Sequence, residues 1–209
     1  FLIWDGSNWS ALQPGVNSNP AIGNDRWGPE IVYRQQMGDI VGPLYLIKYC
    51  VTSTMVPIAG TNSWNPLLTG QTWSDLITYV TAAAAAANAG GDTIRIDGIV
   101  ISICATEMLQ QFGYESYGPM LRTLIAKLRA VLPTINYCSL GSFRDDGGAT
   151  PVVLVEPHYK WNVSVVDTLT RGGITMRRLA LQSLEAEGSR IRVMRTHHLT
   201  HDGGYVHFD

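Results

Sequence analysis

Short segments rich in β-branched and aromatic residues recur along this chain, and stretches with helical periodicity separate them. Each short segment is bounded by turn residues, which is typical of β-strands. The predicted strands are residues 43–51, 94–104, 152–155 and 191–194, and the predicted helical stretches are residues 29–37, 73–88, 117–132 and 165–187. Strands that alternate with helices form βαβ units with right-handed crossovers. The pattern therefore predicts an α/β fold with a mostly parallel, doubly wound sheet and helices on both of its faces.

Proline and glycine residues refine the bounds of two of the helical stretches. Pro133 ends the third stretch, in which apolar residues occupy one face and basic residues the other. In the fourth stretch, Gly172 and Gly173 interrupt the helical pattern. We therefore predict a loop there, followed by a helix from about Ile174.

Length, charge and cysteine content narrow the class of protein. A chain of 209 residues fits one domain and can bury a core without metals or disulfides, so we predict a single domain over residues 1–209. The formal net charge is −2, whereas nucleic-acid-binding domains usually carry a basic excess, and we expect no nucleic-acid partner. The widely spaced Cys50, Cys104 and Cys138 predict small buried apolar side chains rather than a disulfide framework or a zinc site. We therefore expect no metal site.

Apolar runs in the sequence are short. None approaches the roughly 20 residues that a membrane-spanning helix needs, and the alanine tract 82–87 is too short, so we expect no membrane partner. The chain begins at Phe1 without a methionine and stops at Asp209 directly after an apolar stretch. We expect one or both ends to have been cut or processed.

The C-terminal tail, residues 196–209, holds four of the five histidines. It follows the last predicted strand, and ligands of parallel α/β sheets bind at the carboxyl ends of the strands. A nucleophilic hydrolase needs a histidine base that a carboxylate orients, and His207 with Asp202 fits these roles. A solvated polar loop is the alternative interpretation. A metal site is the least favoured, because metal ligands usually come from several elements.

Two other groups have residue types that suit a binding site. Glu156 and His158 directly follow the predicted strand 152–155, although a loop with a hydrogen-bonded histidine is the favoured interpretation. Five aromatic residues have rings that could stack on sugars, although most aromatic residues in such a fold belong to the core. They are Trp64, Trp73, Tyr114, Tyr117 and Trp161.

Several short motifs occur in order along nearly the whole chain. They are Trp27-Gly28-Pro29-Glu30, the run LYLIKYCV at residues 44–51, Trp64-Asn65-Pro66, Asp202-Gly203 and Val206-His207-Phe208-Asp209. Together they resemble the SGNH (GDSL-type) hydrolases, and within them the branch of sialate and xylan O-acetylesterases, which includes versions found in phage particles. The resemblance implies a flavodoxin-like three-layer α/β/α sandwich.

The resemblance also implies acyl transfer without a cofactor. In that family a serine attacks an acetyl ester, a histidine near the C-terminus acts as base, and an aspartate orients the histidine. His207 matches the base. Asp202 matches its partner, although the two residues lie five positions apart here where the family spaces them three apart.

The segments that bind the oxyanion or the substrate in that family depart from its motifs in this chain. Thr52 and Ser53 stand where the family has two glycines, and each added Cβ restricts a turn that should present a backbone N–H group. Thr106 and Glu107 end a segment, Ile103 to Glu107, whose other residues are apolar where the family has polar ones. These departures predict weakened catalysis.

Two alignments of the N-terminus are open, and they differ on the nucleophile. In the first, Asp5-Gly6-Ser7-Asn8 follows an apolar strand and matches the serine motif of the family, so that Ser7 attacks the ester. In the second, six residues match a later segment of the family, and Asp5-Gly6 is a hairpin turn between strands. Those six are Trp4, Gly6, Trp9, Leu12, Pro14 and Asn17.

The sequence thus predicts one of two functions for the same fold. The first is a carbohydrate O-acetylesterase-like module, weakened or inactive, in a secreted or virion-associated protein, with Ser7, Asp202 and His207 as catalytic residues. Its partner would be an acetylated glycan or another small ester. The second is a non-catalytic structural or glycan-binding module with protein neighbours in a larger virion or extracellular assembly.

Overall fold

The computed structural model describes residues 1–12, 45–49, 64, 71–102, 114–140, 149–156, 168–188 and 190–195. Within these ranges it contains three α-helices and eight strands. In chain order they are β1 (Leu2–Trp4), β2 (Trp9–Ala11), β3 (Tyr45–Ile47), α1 (Gln71–Ala89), β4 (Ile94–Ile96), β5 (Ile99–Ile101), α2 (Tyr114–Val131) with a 3-10 turn (Leu132–Thr134), β6 (Cys138–Leu140), β7 (Val152–Val155), α3 (Thr168–Ala186) and β8 (Ile191–Met194).

The chain divides into two compact units. The first unit comprises Phe1–Cys50, Asp75–Ile94 and Thr134–Ser139, and the second comprises Val51–Ser74, Arg95–Pro133 and Leu140–Asp209.

The first unit is organised around the three-stranded sheet β2-β1-β3. The strands β1 and β2 form an antiparallel hairpin, whereas β1 and β3 are parallel. Helix α1 lies against this sheet: the Tyr79 hydroxyl donates to the Trp4 carbonyl at 2.9 Å, and Trp9 Nε1 donates to the Ala83 carbonyl at 3.2 Å. Ala83, Ala84 and Ala87 of α1 are buried. Their short side chains allow the helix to approach its neighbours closely.

The strands β4 and β6 form a separate two-stranded ladder. The Ile94 N–H donates to the Tyr137 carbonyl at 3.0 Å where the ladder begins. Cys138 is buried there, which raises the pKa of its thiol and confirms the prediction that this cysteine is a buried apolar side chain.

The second unit contains the parallel sheet β5-β7-β8. One face of this sheet is buried and includes Val152, Leu154, Ile191 and Val193. Helix α3 packs on β8 and α2 packs on α3. The helices bury leucines at helical spacing, which are Leu121, Leu124 and Leu128 of α2 and Leu181 and Leu184 of α3.

A buried arginine also joins the two helices of the second unit. The guanidinium of Arg177 in α3 is wholly buried and lies 5.6 Å from the centre of the Tyr117 ring of α2. This is the geometry of a cation–π contact. Next to it, a Cβ on Gly118 would lie 3.3 Å from the Ala180 side chain, so a glycine there keeps α2 and α3 close.

Most of the predicted elements are confirmed within the described ranges. The strands predicted at 152–155 and 191–194 are β7 and β8, the predicted strand 43–51 contains β3, and the helices predicted at 73–88 and 117–132 are α1 and α2. The helix predicted at 29–37 lies outside the described residues.

Two predictions were wrong. Residues 94–104 do not form one strand, because β4 and β5 are separated by Asp97-Gly98 and belong to different ladders. The predicted loop before Ile174 is instead helical, since α3 runs from Thr168 through Gly172 and Gly173. Packing of its apolar side outweighs the helix-breaking tendency of two glycines, each of which costs about 1 kcal/mol relative to alanine.

The protein therefore mixes helices with strands whose pairings are mostly parallel, as the alternating pattern predicted. The predicted strands do not all belong to one sheet within the described ranges: β3 pairs with β1, whereas β5, β7 and β8 form another sheet. None of the helices in these ranges is both long and apolar enough to cross a membrane.

Candidate functional site

The hairpin turn between β1 and β2 contains Ser7. The Asp5 carboxylate organises this turn, because its Oδ1 accepts hydrogen bonds from the backbone N–H groups of Ser7 at 2.8 Å and Asn8 at 2.7 Å. Its Oδ2 accepts from the Ser10 hydroxyl at 3.1 Å. The backbone N–H of Asn8, followed by that of Ser7, lowers the pKa of Asp5 below its ordinary value. Gly6 has φ +103°, a conformation that favours glycine.

The structure thus contains the Asp5-Gly6 hairpin of the second alignment, with Trp4 paired to Trp9 across the turn. Ser7 is exposed at the tip of this hairpin. Its backbone N–H is bonded to Asp5. The local geometry matches the second alignment, in which these residues connect two strands. The assignment of Ser7 as nucleophile stays a prediction.

The carboxyl ends of β1 and β3 lie at one edge of the first unit's sheet, because the two strands are parallel. The hairpin turn leaves β1 at this edge, and the segment with Thr52 and Ser53 follows β3. Tyr49 also follows β3, and its ring centre lies 5.4 Å from that of Tyr79. Thr52 and Ser53 themselves lie outside the described residues.

In the second unit, the carboxyl ends of β5, β7 and β8 meet at one edge of the parallel sheet. The segments that carry the other predicted site residues begin at two of these ends. Thr106 and Glu107 come after β5, and Asp202 and His207 come after β8. These four residues lie outside the described ranges, so their positions and distances stay predictions.

A cluster of charged side chains lies at this edge. Glu156, the first residue after β7, is buried, and its Oε1 lies 2.8 Å from Arg178 Nε and 3.8 Å from Arg195 Nη1. Arg195 is the first residue after β8, and its Nη2 lies 2.7 Å from Glu185 Oε2 of α3. A buried carboxylate is costly unless it is paired and hydrogen-bonded. The cluster meets that requirement with side chains from two strand ends and one helix.

The position of Glu156 directly after an apolar strand marks it in the sequence as a candidate, whereas its ion-pair partners carry no such mark. His158, the other candidate after this strand, lies outside the described residues. The ion pairs favour a structural role for Glu156 over a catalytic one. The available signal was an acidic residue directly after an apolar strand, which must find cations when it is buried. Which arginines supply them depends on the packing of α3.

A shallow cavity of about 100 Å³ lies near the opposite end of the same sheet. Ile125, Ala126 and Ile191 contribute to its lining, together with charged side chains. Arg122 Nε donates to Glu187 Oε2 at 3.0 Å, and Arg129 donates to the Thr150 carbonyl at 2.7 Å through Nη2. These side chains tie α2 to segments next to β7 and β8.

The aromatic residues with rings suited to sugar stacking are partly described. Trp64 and Tyr117 are buried, which supports the interpretation that they belong to the core. Trp73 is half-buried. The side chains of Tyr114 and Trp161 lie outside the described ones.

Among the side chains that the structure describes, no group of three histidine, cysteine or acidic residues could hold a metal ion. In comparisons with known proteins, no protein-family model, no curated protein and no solved structure matches this chain.

Proposed function

We propose that this chain is an SGNH-type carbohydrate O-acetylesterase-like module with a flavodoxin-like sandwich, whose hydrolytic activity is weak or lost. The observation that carries the proposal is the parallel pairing of β5, β7 and β8. Because these strands are parallel, two segments start from the same edge of the sheet. One follows β5 and contains Thr106 and Glu107, and the other follows β8 and contains Asp202 and His207. That edge is where parallel α/β folds bind their ligands.

In the active form of this chemistry, a serine hydroxyl attacks the acetyl carbonyl while His207 takes its proton. The histidine then protonates the departing sugar oxygen, and water releases acetate from the acyl-serine. Asp202 orients His207 through these steps. The role of the serine falls to Ser7 in the first alignment.

Two features support weak or absent turnover. First, Ser7 occupies an exposed hairpin whose geometry fits the alignment in which it has no catalytic role. Second, Thr52-Ser53 and the segment before Glu107 depart from the motifs that bind the oxyanion. Removing one oxyanion donor typically lowers the rate by about 10²- to 10³-fold. Changes in two such segments would leave little turnover.

The test is hydrolysis of p-nitrophenyl acetate and of acetylated xylo-oligosaccharides by the chain and by Ser7→Ala. We expect release of nitrophenol and acetate close to the uncatalysed rate, with no difference between the two proteins. Ser10→Ala is the matched control, because Ser10 belongs to the same hairpin and hydrogen-bonds to Asp5. It changes the turn without removing Ser7.

Two outcomes would contradict this expectation. Robust turnover that is lost in Ser7→Ala and kept in Ser10→Ala would establish Ser7 as the nucleophile. Robust turnover that survives Ser7→Ala would indicate another nucleophile. If that turnover is lost in His207→Ala, the result would still support His207 as the base.

The second candidate function is a non-catalytic glycan-binding or structural module in a secreted or virion-associated assembly. The same hairpin geometry favours it, since a binding module needs no nucleophile. Titration of the chain with acetylated and deacetylated xylo-oligosaccharides, followed by NMR, distinguishes the candidates. Binding without acetate release supports a glycan-binding module. If neither glycan binding nor acetate release is observed, the result supports the structural role.

A further inference from the structure

A tyrosine and an aspartate form a hydrogen-bonded pair at the surface of the first unit. The Tyr45 hydroxyl of β3 donates to Asp92 Oδ2 at 2.8 Å. Asp92 is exposed, and among the described contacts of its side chain only Oδ2 accepts a hydrogen bond. The bond to Asp92 raises the pKa of Tyr45, so the phenol keeps its proton and directs it to the carboxylate. The phenol oxygen and Asp92 Oδ1 are therefore available as acceptors for a ligand.

Trp9 and the end of α1 fix this pair in place. The rings of Trp9 and Tyr45 meet edge to face, with 5.0 Å between their centres and an interplanar angle of 85°. Trp9 is fixed in turn, because its Nε1 donates to the Ala83 carbonyl of α1. The backbone N–H of Asp92 donates to the Ala87 carbonyl of the same helix at 3.0 Å. Groups that are ordered before binding lose less entropy when a ligand arrives.

Tyr137 is a second tyrosine next to the same segment. Its carbonyl accepts the N–H of Ile94, two residues after Asp92, so the backbone places Tyr137 beside the segment that carries the carboxylate. Tyr137 is 50 % exposed, and its φ of +63° lies in the left-handed region, which is costly for a residue with a bulky side chain. Strained backbone of this kind concentrates at sites that contact ligands. The exposure and the strain are both typical of a ring kept for such a contact.

We propose that Tyr45, Asp92 and Tyr137 form a saccharide-binding site on the first unit. A sugar ring has C–H groups that pack on aromatic rings and hydroxyl groups that donate to a carboxylate, so these residues match both kinds of group. Organic cations also bind aromatic rings, but an enclosing cage needs a gap between the rings, whereas Trp9 and Tyr45 are in contact. The geometry of the site is independent of the proposed function. Only the choice of a xylan-type ligand rests on it.

The experiment titrates the full chain with xylohexaose, cellohexaose and chitohexaose, followed by NMR and by tryptophan fluorescence. We expect Asp92→Ala to raise the Kd by about 10-fold, because hydrogen bonds to a charged group are lost. Tyr45→Phe keeps the ring and loses the bond to Asp92, and should raise the Kd by about 3-fold. Asp97→Ala is the matched control, because Asp97 has a partly exposed carboxylate that pairs with Arg95. It should leave the Kd unchanged.

Tyr137→Asn separates binding from folding. Asparagine adopts the left-handed region more readily than tyrosine, so the midpoint of urea unfolding should not fall. The Kd should rise by about 3-fold or more, because an aromatic contact is lost. A merely structural role for Tyr137 would give the opposite result, a lower midpoint with an unchanged Kd, and would overturn the site.

The proposal is also overturned if none of the three saccharides binds, if tetramethylammonium binds in their place, or if Asp92→Ala and Asp97→Ala have the same Kd. Binding of cellohexaose or chitohexaose alone supports the site and excludes xylan as its ligand. Acetate release separates this proposal from the proposed function. Saccharide binding that Asp92→Ala weakens, without acetate release, removes the esterase assignment and keeps the site. Acetate release that is equal in the unchanged chain and in Asp92→Ala, without saccharide binding, does the reverse.

Discussion

Asp5 accepts the hydrogen bonds that define the first turn of the chain, so its removal tests the hairpin directly. We expect Asp5→Ala to lower the free energy of unfolding by about 1 kcal/mol at neutral pH, a modest value because the carboxylate is exposed. The folded-state pKa of Asp5 is lowered. Its contribution is therefore present above the unfolded-state pKa of about 3.9 and is lost as the pH falls through the folded-state value.

Urea unfolding of the chain and of Asp5→Ala between neutral and acidic pH checks this. The difference between the two proteins should shrink below about pH 4. Asp5→Asn keeps an oxygen acceptor without a charge, so its deficit should be smaller and should also shrink in acid, whereas the difference between Asp5→Asn and Asp5→Ala should not change with pH. An Asp5→Ala deficit that grows in acid would contradict the assignment.

Gly6 allows the same turn to form. Its φ of +103° strains any residue with a Cβ, although that Cβ would meet only ordinary contact, 3.6 Å from the Tyr79 ring. We expect Gly6→Ala to destabilise the protein by about 1 kcal/mol. Gly98→Ala is the control, since no atom lies within 4 Å of the added Cβ and the backbone there is not left-handed. Equal midpoints of urea unfolding for the two variants would show that the backbone at Gly6 is not strained.

Helix α3 offers a comparison of buried and exposed leucines. Leu181 and Leu184 are each 1 % exposed, whereas Leu179 is 53 % exposed. We expect Leu181→Ala and Leu184→Ala to cost about 2–5 kcal/mol each, because each leaves a cavity in the core. Leu179→Ala should change the free energy of unfolding by no more than about 0.5 kcal/mol. Urea unfolding measures all three, and a large effect at Leu179 would place the core on the other side of the helix.

The same helix shows why sequence patterns mispredict some boundaries. Gly172 and Gly173 are unfavourable in an isolated helix, yet the leucines that follow them gain more by packing than the glycines lose. The error at residues 94–104 has a different origin. Asp97-Gly98 is a turn signal inside an apolar run, and only pairing partners distant in sequence decide that β4 joins β6 while β5 joins β7.

The sequence was sufficient to predict the α/β class and the mostly parallel pairing, and it indicated the hairpin at Asp5-Gly6 in one of two open alignments. Those features depend on local signals: alternation of elements and turn residues. It was not sufficient for the charged cluster of Glu156, Arg178, Arg195 and Glu185, because these residues meet through the packing of α3 on β8. The proposed nucleophile Ser7 and the proposed base His207 also lie far apart in the sequence, and their proximity stays a prediction.

The prediction of a single domain over residues 1–209 concerns the chain as a whole. The chain passes between the two compact units five times, and four of these boundaries fall inside α1, β4, the 3-10 turn or β6. A break inside a helix or strand would cost the hydrogen bonds of that element, so we expect the units to unfold together.

Hydrogen exchange at increasing urea concentration, followed in peptides from the β1–β2 hairpin and from α3, tests this expectation. Their most protected amides should reach the same free energy of opening, because only global unfolding exposes them. Leu181→Ala, which lies in the second unit, should lower that value by the same amount in both sets of peptides. If it lowers protection in α3 and leaves the hairpin unchanged, the two units fold independently and the single-domain prediction is wrong.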